Sequence, residues 1–197
     1  MVAIAAQDVR TSETRDRIVD AAFRAVERFG LSRFTMDDVA RMAGVARQSV
    51  YRYFDSRDAL IVALVFREEE AFLEGVRQAH SRHQDLEDAT AEAIMFCLRT
   101  AREHPLLDRL LESEPDALLP YLTTRGGGVI GRARAVIEEL AAQRKGVNRE
   151  LVHRTADLVV RAIVSYTLTP SDDPPEDVAR EIARILTAAL ETKGEAR

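Results

Sequence analysis

The chain has 197 residues, of which 46% are hydrophobic, and it carries a formal net charge of −5 and a single cysteine, Cys97. This length and composition allow one or two compact domains with a real core, and one cysteine excludes an intrachain disulfide. No apolar run approaches the roughly 18 residues of a membrane span, and no signal peptide is evident. We therefore expect a soluble cytoplasmic protein, in which any nucleic-acid-binding surface must be local.

Helical periodicity, capping residues and glycines predict an all-α fold along the whole chain, and no stretch shows strand-like alternation. Gly30 and Gly44 are predicted to end the first two helices. Thr35 and Asp38 form a capping box at the start of the second helix. The predicted helices cover residues 12–29, 35–43, 47–53, 57–80, 85–103, 105–112, 115–122, 129–143, 148–168 and 174–192.

The stretch ARQSVYRYFDSRDAL carries the most informative chemistry in the first part of the chain. Two short helices joined by a tight glycine turn, the second rich in arginine, describe a helix-turn-helix. In this motif the second helix enters the major groove and its first turn contacts base edges. Arg47 and Gln48 occupy that turn, and their side chains can form bidentate hydrogen bonds with guanine and adenine. Val50 and Phe54, four residues apart, are expected to be the buried anchors.

Other polar side chains in the same stretch suit contacts with phosphate. Ser49, Tyr53 and Arg57 can each donate to a phosphate oxygen, and Arg57 also begins a helix whose free N–H groups favour an anion. Between Arg33 and Arg57 five arginines face three aspartates, which gives a local charge of +2 in a chain of net charge −5. A basic DNA-contacting surface on an acidic body would produce this distribution.

The runs RIVDAAFRAVERFG and FTMDDVARMAGVARQSVYRYFDSRDAL resemble the DNA-binding domain of the TetR family of transcriptional regulators. The matching features are a helix ending in F-G, a threonine-capped helix ending in A-G-V, a Y-x-Y-F run and an R-x-x-L helix start. The resemblance implies a three-helix helix-turn-helix DNA-binding domain over residues 12–57. It also implies a helical effector-binding and dimerisation domain over residues 58–192.

The same resemblance implies a homodimer that binds a near-palindromic double-stranded operator, as a repressor rather than an activator, and responds to a small molecule. Three residues fall where the family reads bases: Arg47, Gln48 and Tyr51. Four fall where it contacts phosphates: Thr35, Ser49, Tyr53 and Arg57. For Arg52, a phosphate contact and a place in solvent both stay open.

The helical body is expected to hold a mostly apolar ligand pocket with a few placed polar groups. The candidate walls are Phe66, Phe72, Met95, Phe96, Arg99, Leu110 and Tyr121. The predicted effector is small and largely apolar, with an acid group facing Arg99. The alternative is that these residues form ordinary core and that Arg99 lies on the surface.

The two last predicted helices resemble the pair through which the family dimerises. The candidate interface residues are Leu158, Ala162, Ile182, Ile185 and Ala189. A stripe of alternating charge lies on the first of these helices and consists of Glu150, Arg154, Asp157 and Arg161. It is interpreted as a solvent-facing row of ion pairs, with a polar wall of the pocket or of the subunit contact as the alternative.

Several remaining features carry no predicted catalytic, metal or cofactor chemistry. The run RGGGVIG spells G-x-G-x-x-G, but no strand precedes it, so we expect a flexible joint before the helix at 129–143. His80 and His83 are expected at an exposed helix end rather than around a metal ion, and Cys97 is expected to be buried. No nucleophile lies near a recognisable base, so we do not expect an enzyme.

Two other functional classes stay open from the sequence. One is an effector-independent activator or architectural DNA-binding protein, which a tightly packed helical body would favour. The other is a helical enzyme or carrier with an incidental helix-turn-helix, which turnover or tight ligand binding without operator specificity would favour.

Overall fold

The computed structural model describes residues 2–145 and 147–191, and most of these residues lie in helices. These residues contain no β-strand, which confirms the predicted all-α fold. The helices are α1 (Val2–Phe29), α2 (Met36–Ala43), α3 (Arg47–Tyr53), α4 (Arg57–Ser81), α5 (Leu86–Glu103), α6 (Pro105–Ser113), α7 (Pro115–Leu122), α8 (Gly127–Ala142), α9 (Arg149–Leu168) and α10 (Pro175–Glu191).

The largest difference from the predicted boundaries is at the start of α1. This helix begins at Val2 rather than Ser12, because the segment before Ser12 is rich in alanine and contains no proline or glycine to stop it. The predicted end of the last helix, Thr192, lies outside the described residues.

The first three helices pack around a core whose members were predicted from the helical period. Ile18, Ala22 and Val26 follow one face of α1, and none is more than 1% exposed. Val39 of α2 and Val50 of α3 are fully buried against them. Phe54, the second predicted anchor, is also buried, so both predicted anchors of the recognition helix α3 are confirmed.

Local hydrogen bonds fix the ends of α2 and the turn into α3. The Thr35 hydroxyl accepts from the Asp38 N–H at 3.2 Å, and the Asp38 carboxylate accepts from the Thr35 N–H at 3.0 Å, which confirms the capping box. Hydrogen bonds from Thr35 hold the pKa of Asp38 below its usual value. Gly44 adopts a left-handed φ of 65°, and the Val45 N–H donates to the Ala40 carbonyl at 3.0 Å.

The core beneath the helix-turn-helix continues beyond residue 57. Helices α4, α6 and α7 add Leu60, Ile61, Leu64, Leu110, Leu118 and Tyr121 to it. Leu110 and Tyr121, predicted as pocket walls, therefore lie in the core that supports the DNA-binding helices. Because the packing runs across residue 57, the division into segments 12–57 and 58–192 stays a prediction.

The rest of the body is formed by α4, α5, α8, α9 and α10. Helix α5 packs between α4 and α10, and α8 packs against α9 and α4. The rings of Phe72 and Phe96 meet across α4 and α5 with their centroids 5.7 Å apart. A Cβ on Gly75 would lie 2.2 Å from the Phe96 ring, so this glycine allows α4 and α5 to approach closely.

The RGGGVIG run is part of a packed helix and not the flexible joint that the sequence suggested. Helix α8 begins at Gly127, two residues earlier than predicted, with Gly126 as its N-cap. A Cβ on Gly128 would lie 2.7 Å from the Phe66 ring of α4. Gly127 and Gly128 therefore lie in the first turn of α8. The lack of a side chain on Gly128 allows this turn to pack against α4.

We expect Gly30→Ala to destabilise the fold more than Gly44→Ala. Both glycines have a left-handed φ, 88° and 65°, which costs alanine about 1–2 kcal/mol. At Gly30 the new methyl group would also lie 1.9 Å from Glu114 Oε1, whereas at Gly44 no atom lies within 4 Å. Glu114 would have to leave its hydrogen bond with the Ser32 N–H, and because this bond is exposed to water the further loss should be about 0.5–1.5 kcal/mol.

Urea unfolding of the two variants measures this difference. In a Glu114→Ala background the cost of Gly30→Ala should fall to that of Gly44→Ala, because the obstructing carboxylate is gone. Equal costs for the two single variants would contradict the steric account.

Candidate functional site

The recognition helix α3 presents four polar side chains to solvent above its buried anchor. Arg47, Gln48, Tyr51 and Arg52 are exposed, whereas Val50 is 0% exposed. Tyr51 is one of the few large hydrophobic residues at the surface, with 38% of its area exposed. A helix with this distribution can lie in a major groove and direct donors and an aromatic ring at base edges.

Arg47 is oriented by two neighbours on the same surface. Its guanidinium lies 5.5 Å from the centre of the Tyr51 ring, and its Nη1 lies 3.1 Å from Asp37 Oδ2. Both members of the ion pair are well exposed, and such pairs contribute only about 0–1 kcal/mol. A base edge can therefore take the place of the Asp37 carboxylate at little cost. Arg52 stacks in the same way over Tyr53, at 5.4 Å from the ring centre.

The predicted phosphate-contacting residues lie around this helix in different environments. Thr35 is exposed at the start of α2, and its hydroxyl donates to Asp38 at 2.6 Å within the capping box. Ser49 is half-buried in the first turn of α3. Tyr53 is half-buried and packs against the core that α1, α2 and α3 share. The contacts of these three residues with phosphate stay predictions.

Arg57 makes contacts that the sequence interpretation did not include, and its contact with phosphate stays a prediction. Its Nε donates to the Phe34 carbonyl at 3.1 Å, its Nη2 donates to the Leu31 carbonyl, and its guanidinium lies 4.4 Å from the centre of the Phe34 ring. Both carbonyls belong to the loop before α2. In this structure Arg57 ties the start of α4 to that loop.

A contact between α6–α7 and the end of α1 was not predicted from the sequence. Arg109 donates to the Glu27 carbonyl at 2.6 Å and to the Val26 carbonyl at 2.9 Å, at the C-terminal end of α1. Glu114 accepts from the Ser32 N–H at 2.7 Å. We call Arg109 and Glu114 the clamp. No local pattern marks them, since each partner lies about eighty residues away.

An apolar cavity of about 110 Å³ lies in the helical body, between α4, α5, α8, α9 and α10. Its wall is almost entirely aliphatic, with a few polar side chains among them. The lining residues are Val76, His80, Leu86, Thr90, Ala93, Ile94, Cys97, Ile137, Leu140, Ala141, Val152, Thr155, Val159, Ile163, Leu186 and Leu190.

None of the seven predicted pocket residues lines this cavity. The inward face of α5 carries Ile94 and Cys97, whereas Arg99, two residues further on, points elsewhere and is exposed. The structure therefore agrees with the alternative in which Arg99 lies on the surface. The six apolar candidates pack in the surrounding cores or against α8: Phe66, Phe72, Met95, Phe96, Leu110 and Tyr121.

His80 was expected at an exposed helix end, but the structure shows that its side chain is buried. Only 7% of its surface is exposed, and burial, together with the charge of Arg144, lowers its pKa. His83 is exposed, as predicted. Cys97 is buried as predicted, and burial raises the pKa of its thiol to about 12. Within the described ranges no group of three His, Cys, Asp or Glu side chains could hold a metal ion.

The charged stripe on α9 forms the predicted row of ion pairs. Arg154 pairs with Glu150, and Arg161 Nε lies 2.7 Å from Asp157 Oδ2. Three of the four side chains are well exposed and Asp157 is partly so, so the stripe faces solvent rather than the cavity.

The neighbouring surface of α9 and α10 carries the two most exposed large hydrophobic residues among the described side chains. Leu158 is 67% exposed and Ile185 is 58% exposed. Of the other predicted interface residues, Ala189 is exposed and Ala162 and Ile182 are half-buried. The five residues stay candidates for a dimer interface, which the structure of one chain does not test.

Comparison with known proteins shows which protein family the chain matches. The pattern described as "Bacterial regulatory proteins, tetR family" matches residues 18–64, and that described as "Bacterial Tetracyclin repressor, C-terminal domain" matches residues 85–188. An uncharacterised HTH-type transcriptional regulator of Mycobacterium tuberculosis is 30% identical over 189 residues, covering 91% of this chain and 89% of the relative. The chain belongs to the TetR family of transcriptional regulators.

Two further relatives of this TetR-family protein bear the name AlkX. The HTH-type transcriptional regulator AlkX of Mycobacterium tuberculosis is 30% identical over 186 residues, which cover 91% of this chain and 86% of the relative. The crystal structure of the TetR family repressor AlkX from a Dietzia strain, implicated in biodegradation of n-alkanes, superposes with a TM-score of 0.74 at 28% identity. That match covers 90% of this chain and 95% of the Dietzia chain.

Membership of the TetR family makes this protein a DNA-binding transcriptional regulator with a helix-turn-helix, and not an enzyme. The motif that sequence analysis singled out, α2 and α3, lies within the matched N-terminal region. None of the helices in the described residues is long and apolar enough to cross a membrane.

In this TetR-family protein we expect Glu69 to make folding stability depend on pH. The Glu69 side chain is 7% exposed, its Oε2 lies 3.0 Å from Arg132 Nε of α8, and its Oε1 has no hydrogen-bond partner. Burial raises the pKa of Glu69 to about 7, although Arg132 acts in the opposite direction. The folded state therefore binds this proton more tightly than the unfolded chain, and stability falls as pH rises from about 5 to about 7.

Urea unfolding of the wild type and of Glu69→Gln at pH 5.5 and pH 8 tests this dependence. The wild type should lose stability relative to the variant by about 1.4 kcal/mol for each pH unit between pH 5.5 and the folded-state pKa of about 7. A stability difference that is the same at both pH values would show that Glu69 titrates normally.

Proposed function

We propose that this protein is a dimeric, ligand-responsive repressor that binds a near-palindromic operator through α3. The observation that carries the proposal is the exposed polar face of α3, with Arg47, Gln48 and Tyr51 above a fully buried Val50. A rigidly anchored helix with bidentate donors in its first turn supports direct reading of bases in the major groove. As a DNA-binding protein without a membrane-spanning helix among its described residues, it would work in the cytoplasm.

Dimerisation would use the exposed surface of α9 and α10. Leu158 and Ile185 would supply the apolar centre of such an interface. A two-fold axis would pack the α9–α10 surface of one subunit against the same surface of its partner. Two recognition helices would then lie about 34–36 Å apart, which matches successive major grooves on one side of DNA. This spacing is what makes a palindromic operator the expected target.

The effector would be a small apolar molecule that enters the cavity in the helical body. Its volume of about 110 Å³ is close to that of a cavity of about 150 Å³ known to hold benzene, and its wall is almost wholly aliphatic. A larger ligand would have to move the surrounding helices apart. The Dietzia repressor AlkX is implicated in n-alkane biodegradation, and an apolar effector is in keeping with that similarity.

Two structural connections could transmit this movement to the DNA-binding helices. Helix α4 lines the cavity at Val76 and His80 and begins at Arg57, next to α3. Helix α5 lines the cavity and contacts α6, and the clamp joins α6–α7 to the end of α1. A ligand that fits only the expanded body would shift the population towards that shape, and DNA affinity would change accordingly.

Thermal unfolding with toluene tests the effector part of the proposal. Ligand at about 100 times its Kd should raise the free energy of unfolding by about 2.7 kcal/mol. Ala141→Leu places a larger side chain in the cavity wall and should abolish the effect. The next residue, Ala142, is exposed and is not part of the cavity wall. Ala142→Leu should therefore leave the stabilisation by toluene intact.

The same ligand should release a labelled operator fragment from the wild type and not from Ala141→Leu. If toluene and other apolar molecules of its size neither stabilise the protein nor release DNA, the protein binds its operator independently of this cavity. That result would favour the effector-independent regulator instead.

A further inference from the structure

The polar side chains in the wall of the apolar cavity differ in whether their hydrogen-bond donor is already used. The Thr90 hydroxyl donates to the Leu86 carbonyl at 2.7 Å, and the Thr155 hydroxyl donates to the Leu151 carbonyl at 2.9 Å. His80 lines the same cavity with only 7% of its surface exposed, and no hydrogen bond joins its ring to any described residue. Compared with the two threonines, the His80 ring therefore has both a donor and an acceptor available to a ligand.

Neither ring nitrogen of His80 is among the fully buried side-chain atoms that lack a partner in the described residues, so each keeps some accessible surface that a bound molecule can reach. A leucine of similar size would fill the same position and add to the aliphatic surface. Histidine differs because its neutral ring offers one N–H donor and one nitrogen acceptor at the same time. A ligand group that both donates and accepts would satisfy it.

The charge state of the ring selects the kind of ligand. Burial lowers the pKa of His80 and the nearby Arg144 lowers it further, so the ring is neutral at neutral pH. The Arg144 guanidinium donates to the His83 carbonyl at 2.9 Å and to the Gln84 carbonyl. A carboxylate would lose its hydration in this largely aliphatic cavity, and because it only accepts hydrogen bonds it would leave the acceptor nitrogen of the neutral ring unsatisfied. A hydroxyl group would lose far less.

We propose that His80 is the specificity-determining residue of the effector cavity and that it selects small apolar molecules bearing one hydroxyl group. The inference rests on the proposed function, because it assumes that this cavity is the effector site. It replaces the acid-bearing effector and the role of Arg99 expected from the sequence with a neutral ligand and a different residue.

Phenol and toluene test the inference, because they have nearly the same size and shape and differ in the hydroxyl. Titration calorimetry gives the Kd of each for the full-length wild type, for His80→Leu and for His80→Asn. The ratio of the toluene Kd to the phenol Kd should fall about threefold to tenfold in His80→Leu, which corresponds to one hydrogen bond. His80→Asn keeps a donor and an acceptor and should retain much of the wild-type ratio.

His83→Leu is the matched control, since His83 is exposed and does not line the cavity, so the ratio should stay unchanged. A ratio that is equal in the wild type and in both His80 variants, with both molecules binding, would overturn the role of His80 and leave the cavity as a binding site. Tighter binding of benzoate than of phenol by the wild type would overturn the preference for a neutral ligand. If neither phenol nor toluene binds the wild type, the inference and the proposed effector site fail together.

Discussion

Replacing Leu158 and Ile185 together by glutamate should convert the protein into a monomer and weaken operator binding by about 10²–10⁴-fold, the usual gain from linking two binding units. Both side chains are more than half exposed on α9 and α10, so the substitutions should leave the fold of each subunit intact. In a dimer interface, however, two pairs of like charges would meet in a buried apolar surface, and the interface would separate.

Sedimentation equilibrium gives the oligomeric state, and fluorescence anisotropy with a labelled operator gives the affinity. Val62→Glu is the matched control, because Val62 is an exposed aliphatic residue on a different helix, α4, and the variant should remain dimeric. A double variant that is still a dimer would place the interface elsewhere on the molecule.

Arg47→Ala should cost about 1–3 kcal/mol for each half-site of the operator and relax the preference for one base pair. The reason is that the exposed Arg47 guanidinium can donate two parallel hydrogen bonds to guanine, which alanine cannot replace. Loss of the weak Asp37 ion pair should leave stability almost unchanged. Affinities of the wild type and the variant for an operator and its single-base variants measure both effects.

Arg52→Ala is the comparison that separates base reading from phosphate binding. Arg52 is on the same helix and also stacks on a tyrosine, and the sequence allows it either a phosphate contact or a place in solvent. If Arg52 contacts phosphate, its loss should weaken binding to all sequences equally and reduce the salt dependence. An equal loss on all sequences for Arg47→Ala would show that Arg47 also contacts phosphate and does not read a base.

The features that sequence analysis predicted correctly depend on neighbouring residues. Helix positions follow from the spacing of apolar residues, the capping box from the identity of Thr35 and Asp38, and the anchors Val50 and Phe54 from their four-residue separation. The recognition helix follows from the same local information, together with a motif that covers about a quarter of the chain.

The features that were missed depend on residues distant in the sequence. Arg57 bonds to carbonyls more than twenty residues away, and each side chain of the clamp reaches over about eighty residues. His80 was assigned to a helix end because the sequence does not show that α5, α8, α9 and α10 enclose the last turns of α4. Helical periodicity predicts which face of each helix points inward. It does not predict which of these inward faces meet around a cavity.

The central claim is that a dimer of this protein reads a palindromic DNA sequence through α3. The most direct test is selection from a randomised double-stranded DNA library with the full-length protein at near-physiological salt, followed by sequencing. We predict that the wild type selects an inverted repeat whose half-sites are about one helical turn apart. Arg47→Ala should select the same repeat with a weaker base preference at one position of each half-site. Retention of DNA without any enriched motif, abolished simply by raising the salt concentration, would contradict sequence-specific recognition by this helix.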